Sequence, residues 1–174
     1  MPSTSGDTIA IAEADPEAPA AKACLAAYFD LLCARIPGVS RAHVPDPDPE
    51  AHAYRPPHGA FFLAWSDGQP AACVALKSVD ATTGEVKRLW VAPAARGRGL
   101  ARRMMTTIEA AAGALGHTRL RLDTNAALTE AIALYRATGW HDIAAFSGLP
   151  ATHWFAKPLP PGSPPLQITP RPAT

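Results

Sequence analysis

Apolar residues at Leu25, Tyr28, Phe29, Leu32 and Ile36 recur every three to four positions, the period of one face of an amphipathic helix. The pattern predicts a helix from about Pro16 that ends before Pro37-Gly38. The runs Ala60 to Trp65 and Pro70 to Val79 flank Ser66-Asp67-Gly68-Gln69, and Asp-Gly between apolar runs predicts an antiparallel hairpin. A third strand is expected over Glu85 to Val91, closed by Pro93. Leu100, Met104, Ile108, Ala111, Ala112 and Leu115 then share one helical face, with Gly116 placed to end that helix. Leu120 and Leu122 alternate with Arg119, Arg121 and Asp123 as in a strand, and Leu128, Ala131, Ile132 and Tyr135 mark a helix stopped by Gly139. Trp140 to Ala145 and Thr152 to Lys157 read as two last strands. The predicted order is β-α-β-β-β-α-β-α-β-β, an α/β fold with a mixed, mostly antiparallel sheet and helices on both faces.

Between these elements, the stretch that follows Pro37-Gly38, through Asp46-Pro47-Asp48-Pro49 to Pro56-Pro57-His58-Gly59, has too many prolines to hold a helix and reads as a long loop on the substrate side. Met1 to Ser5 is polar and Pro158 to Thr174 is proline-rich, so the expected organisation is one domain over residues 8–159 between a loose start, 1–7, and a loose tail, 160–174. A chain of 174 residues suffices for one domain with its own core.

Composition narrows the function mainly by exclusion. The formal net charge is +1, so no broad basic field points to nucleic acid or to a membrane surface. No apolar run reaches the roughly 20 residues of a membrane span, and the chain reads as soluble. Cys24, Cys33 and Cys73 are odd in number and lack paired spacings, which suits a reducing cytoplasm; the six histidines show no metal spacing.

The candidate chemistry is local, at Arg96-Gly97-Arg98-Gly99-Leu100-Ala101, between a predicted strand and a predicted helix. Glycines there let the backbone bend around a ligand, and the following helix directs unpaired N–H groups and its positive end into the bend. Arg96, Arg98, Arg102 and Arg103 add cations suited to phosphate oxygens. The loop lacks the Lys-[Ser/Thr] pair of a triphosphate-binding loop, and its Gly-x-Gly-x-x-Gly is incomplete, which disfavours ATP and NAD.

Glu-x-x-Arg-x-x-Val-x-Pro over Glu85 to Pro93, followed by Arg-Gly-x-Gly-x-Ala, resembles the acetyl-CoA signature of the GCN5-related N-acetyltransferase (GNAT) superfamily. Asn125, then Ala131 to Tyr135 and Gly139-Trp140, resembles its second half, and the likeness extends from about Thr8 to Leu159. Ala101 stands where glycine is frequent, Trp140 where Phe or Tyr is, and Ala156 where an acidic residue is expected. The resemblance implies an N-acetyltransferase acting from acetyl-CoA, without a metal, on a primary amine of a small molecule or peptide. A non-catalytic acyl-CoA-binding module is the alternative, and a homodimer is plausible for the family.

The same resemblance implies the residue roles. Arg96, Gly97, Arg98, Gly99, Leu100, Ala101 and Arg102 would hold the pyrophosphate, and backbone groups of Leu89 and Val91 the pantetheine arm. Asn125 would bond the pantetheine amide or cap the next helix. Tyr135 would protonate the departing thiolate, or else be a core tyrosine. Glu85 would take the proton of the substrate ammonium, or else be a surface partner of Lys87 or Arg88. His153 and Trp154 would line the acceptor pocket or pack the sheet, and Cys73 reads as a buried thiol.

Overall fold

The computed structural model describes residues 8–43 and 47–161. Residues 1–7 and 162–174, expected to be loose, lie outside the described residues. The elements are β1 (Ile9–Glu13), α1 (Pro19–Arg35), β2 (Gly59–Ser66), β3 (Gln69–Ser78), β4 (Thr83–Val91), α2 (Leu100–Ala114), β5 (Arg119–Thr124), α3 (Thr129–Ala137), β6 (His141–Asp142) and β7 (His153–Pro158). The predicted order holds. The sheet runs β1-β2-β3-β4-β5-β7-β6, and every neighbouring pair is antiparallel except β4 and β5.

β2 and β3 read as unbroken apolar runs because both of their faces are covered. Phe61, Leu63, Cys73 and Ala75 pack under α1 through Ala21, Cys24, Leu25 and Phe29. Phe62, Ala64, Val74 and Leu76 meet Leu100, Met104, Met105 and Ile108 of α2, in a core that also takes Ile132 and Tyr135 of α3. Pro19 at the first turn starts α1 three residues later than the apolar pattern suggested, and Ile36 ends it before Pro37.

α2 ends in a left-handed turn at Gly116, φ +90°, where His117 N–H donates to the Ala112 carbonyl at 3.0 Å and Gly116 N–H to that of Gly113 at 3.0 Å. α3 closes similarly: Trp140 N–H donates to the Tyr135 carbonyl at 3.1 Å, folding the Trp140 ring to 5.9 Å from that of Tyr135.

One expectation is corrected. The strand expected over Trp140 to Ala145 shrinks to His141–Asp142, since the chain then leaves the edge to place Ser147 on Asp123 and the Pro150 carbonyl on Asn125. The proline-rich segment is a loop, but 3₁₀ turns at Arg41–His43 and Ala51–Tyr54 give it local structure.

Candidate active site

The site begins where the sheet comes apart. β4 and β5 pair only through Thr83↔Arg119, Gly84↔Leu120 and Glu85↔Arg121. Gly84 permits this approach: a Cβ there would lie 2.9 Å from side-chain carbons of both Leu120 and Leu76. Above Glu85 the strands diverge, and among the described residues no strand covers the β5-facing edge of β4 from Val86 to Val91. Arg88 adds a bulge, with φ +62° and one extra residue opposite β3 between Cys73 and Ala75. The bulge puts Arg88 on the same face as Lys87, over the Phe29 ring of α1 at 5.1 Å.

Along the open edge lies a cleft of about 330 Å³, lined by Leu89 and Val91 on one side and by Leu128, Ala131 and Leu134 near α3 on the other. Gly97, Gly99, Leu100, Ala101 and Arg102 close its end. Gly97 and Gly99 sit at φ +75° and +72°, a left-handed backbone that disfavours any side chain. No side chain caps α2 at Gly99 and no acidic residue stands in its first turn, which leaves the first N–H groups and the dipole for an anion. The cradle therefore fits a pyrophosphate.

The arginines divide their work. Arg102 lines the cleft. Arg96 lines it too while its Nε donates to the Val91 carbonyl at 3.1 Å, tying loop to strand. Arg98 and Arg103 lean away, toward Ser66 Oγ and the Ile9 carbonyl, each at 3.4 Å.

At its inner end the cleft opens into a small junction of about 50 Å³ that shares Tyr28, Leu89, Leu128 and Ala131 with it and adds Arg88, Asp123 and Tyr135. Tyr135 is 5% exposed, with its ring against Trp140 and Phe155. Burial, then the neighbouring Tyr28 and Asp123, push the Tyr135 hydroxyl above the ordinary tyrosine range, so it stays protonated at neutral pH.

Beyond Arg88 lies a third space, about 710 Å³, walled by Phe29, Leu32, Ile36, Val39, Leu149 and Pro150. Arg88 and Glu50 at its floor belong to an ion network. Arg88 Nε and Nη2 donate to Asp48 at 2.8 and 3.2 Å, and Nη2 also to Glu50 at 3.1 Å. Lys77 and Lys87 reach Glu50 at 2.5 and 2.9 Å. Burial alone would raise the Glu50 carboxyl, but the bonds from Lys77 and Lys87 outweigh it and hold it down to about 2. This network docks the proline-rich segment onto β3 and β4.

Of the residues singled out from sequence, the glycine loop, Leu89, Val91 and Tyr135 converge on this cleft and junction. Asn125 falls elsewhere: it lines the third space, its Nδ2 donating to the Pro150 carbonyl at 2.6 Å and its Oδ1 accepting from Ala127 N–H at 2.8 Å. Glu85 is 5% exposed at the root of the split, receiving Arg121 Nε and Nη2 at 2.9 Å each, with Lys87 at 3.6 Å. Cys73 is fully buried, with its thiol raised by that burial. Tyr28, Asp123, Asp48 and Glu50 had no motif to mark them: Tyr28 reads as one more position of the apolar face of α1, Asp123 as the polar side of an alternating strand, and Asp48 and Glu50 as loop residues.

The site is thus a strand pair that splits beside an uncapped helix start, with an apolar cleft that ends at a buried tyrosine. The profile of the acetyltransferase (GNAT) family matches residues 25–140, and the chain belongs to that family. Membership implies acyl-CoA-dependent acetyl transfer. An IAA acetyltransferase of Azospirillum brasilense is 36% identical over 103 residues, 57% of this chain and 67% of its own length. A GNAT acetyltransferase structure from Staphylococcus aureus superposes with TM-score 0.75 at 17% identity, covering 88% of this chain and 100% of its own. One from Elizabethkingia anophelis with acetyl-CoA bound gives 0.61 at 18%, covering 88% and 99%.

Proposed function

We propose that the protein is an N-acetyltransferase that moves an acetyl group from acetyl-CoA to a primary amine of a small molecule or peptide, by direct attack with both substrates bound. The observation that carries this reading is the cleft closed at one end by the uncapped start of α2 and continuous at the other with the junction lined by Tyr135, with a second space on the far side of Arg88. Bound acetyl-CoA supplies an activated carbonyl and a thiolate leaving group. The N–H groups at the start of α2, with Arg96 and Arg102, hold its pyrophosphate, and the open edge of β4 at Leu89 and Val91 holds its arm. Tyr135 keeps a proton at its hydroxyl for the thiolate. Asn125 we assign to tying the turn before α3 to the 148–152 turn, because its Oδ1 is engaged by Ala127 N–H and its Nδ2 by the Pro150 carbonyl.

Glu85 we assign to fastening β4 to β5 and not to proton transfer, because Arg121 and Lys87 already occupy its carboxylate. Glu85→Gln is expected to cost about 1–3 kcal/mol of stability while kcat stays within about three-fold; a collapse of kcat in a fully folded variant would return Glu85 to the role of base.

The test is free-thiol release from acetyl-CoA across an amine panel. Wild-type protein is expected to release thiol with at least one amine, and Tyr135→Phe to lower kcat about 100-fold with acetyl-CoA affinity unchanged. Failure to release thiol with any amine, beside tight CoA binding, would make the protein a binding module; undiminished turnover by Tyr135→Phe would leave Tyr135 a core residue.

A further inference from the structure

Asp123 is the only carboxylate among the described residues that line the junction. It stands on β5 two positions beyond Arg121, the last residue paired with β4, and so faces the split. A directed chain fixes it: Trp154 Nε1 donates to Ser147 Oγ at 2.8 Å, and that hydroxyl donates to Asp123 Oδ2 at 2.6 Å. Ser147 is thereby committed as a donor to one carboxylate oxygen. Oδ1 has no partner among the described residues, and Asp123 makes no ion pair with them.

The cations around it are already taken. On β4, Lys87 and Arg88 are paired with Glu50 and Asp48; on β5, Arg121 is paired with Glu85 and lies 4.0 Å over the Phe146 ring. The other titratable groups at the junction are the hydroxyls of Tyr28 on α1 and Tyr135 on α3, both held protonated, chiefly by burial. A partly buried carboxylate with one fixed oxygen and one free, in a junction whose cations each bond a different carboxylate, is a receptor for a cation from outside. The adjoining space supplies apolar walls, Phe29, Leu32, Ile36 and Val39, and an arginine that Asp48 and Glu50 have already neutralised.

We propose that Asp123 Oδ1 binds the acceptor's ammonium and takes its proton, and that the acceptor's body is uncharged and apolar and lies between α1 and the segment after it. The inference rests on the acyltransferase reading and names its acceptor class and base. The step balances without a redox partner. Asp123 takes one proton from the ammonium, and the freed nitrogen lone pair forms the C–N bond as the C–S bond breaks. The second nitrogen proton replaces the one that Tyr135 gives to the thiolate, and Asp123 returns its own to solvent. Ser147 is a positioning residue.

Two probes with the same apolar body separate proton transfer from shape: benzylamine, a cation at pH 7, and O-benzylhydroxylamine, neutral at pH 7. Wild-type protein is expected to acetylate both. Asp123→Asn should lower kcat/KM for benzylamine about 100-fold and for O-benzylhydroxylamine less than about three-fold, with acetyl-CoA affinity unchanged. In Asp123→Asn the benzylamine rate should climb steadily with pH as the free amine forms, while the O-benzylhydroxylamine rate stays flat near neutral pH, and Ser147→Ala should lower the benzylamine rate alone. Equal losses on both probes would reduce Asp123 to a structural role and overturn the proposal. Turnover of other amines but of neither probe would overturn the acceptor class and leave the acyltransferase standing; no turnover of any amine would overturn the wider reading.

Discussion

Tyr135 shows how a single residue is made useful by its neighbours. The turn at Gly139 folds Trp140 back onto its ring, Phe155 supports it at 5.8 Å, and only the hydroxyl is left to the junction. Trp140 bears a cost in this arrangement, because its Nε1 is buried with no hydrogen-bond partner among the described residues. Trp140→Phe removes that orphaned donor along with some ring area, and the two effects oppose each other. Its stability should stay within about 1 kcal/mol of wild type by urea unfolding; a loss of several kcal/mol would show the indole packing to dominate.

Gly97 is the corresponding residue of the cradle. A Cβ there would meet nothing within 4 Å, so alanine would be opposed by the backbone alone. A left-handed alanine costs about 1–2 kcal/mol, so Gly97→Ala should lower the melting temperature by about 2–8 °C and weaken acetyl-CoA in a calorimetric titration. Undiminished affinity would show that the loop needs no glycine at this position.

Among the elements, those that carry the cofactor side were the most legible. The apolar face from Leu100 to Leu115 and the stop at Gly116 gave α2 to within a residue, because a helix packed on one side of a sheet must show that period. The hairpin of β2 and β3 followed from Asp67-Gly68. The acceptor side was not legible. The Arg88 bulge breaks the alternation of β4 through one left-handed residue that no local composition announces. The Asp48 and Glu50 contacts span 40 and 38 positions to Arg88, so they exist only after the fold does. Glu85 was found by motif, but its engagement with Arg121 depends on a parallel register that sequence does not state.

The packing of the proline-rich segment on β2 has its own test. A Cβ at Gly59 would lie 2.2 Å from the carbonyl oxygens of both Ala53 and Leu76, inside atoms that cannot move without opening the sheet. Gly59→Ala should destabilise the protein by about 3 kcal/mol in chemical denaturation, and a neutral effect would contradict the described docking.

For the whole molecule, pH should weaken the fold in two windows. Burial lowers the folded pKa of His117 below its ordinary 6.5, so the unfolded chain takes the proton more readily and stability falls as pH drops below about 6.5. His117 Nε2 meets Ser78 Oγ at 2.9 Å, and His117→Gln should remove this slope. Glu50, held at about 2 against an ordinary 4.5, contributes stability that is present above about 4.5 and lost as pH falls toward 2. Urea midpoints measured across pH should show both slopes, with the lower one absent in Glu50→Gln. A flat profile between pH 7 and 3 would contradict the two placements.

The most direct test of the central claim follows the acetyl group itself. Acetyl-CoA labelled with ¹³C in the acetyl carbons is incubated with the protein and benzylamine, and the products are read by mass spectrometry together with free thiol. The account predicts labelled N-benzylacetamide formed in equal amount with free CoA, at a rate that Tyr135→Phe sharply reduces. Unlabelled benzylamine beside intact labelled acetyl-CoA would overturn the acceptor class alone, and thiol release with the label found only in acetate would contradict the transfer itself.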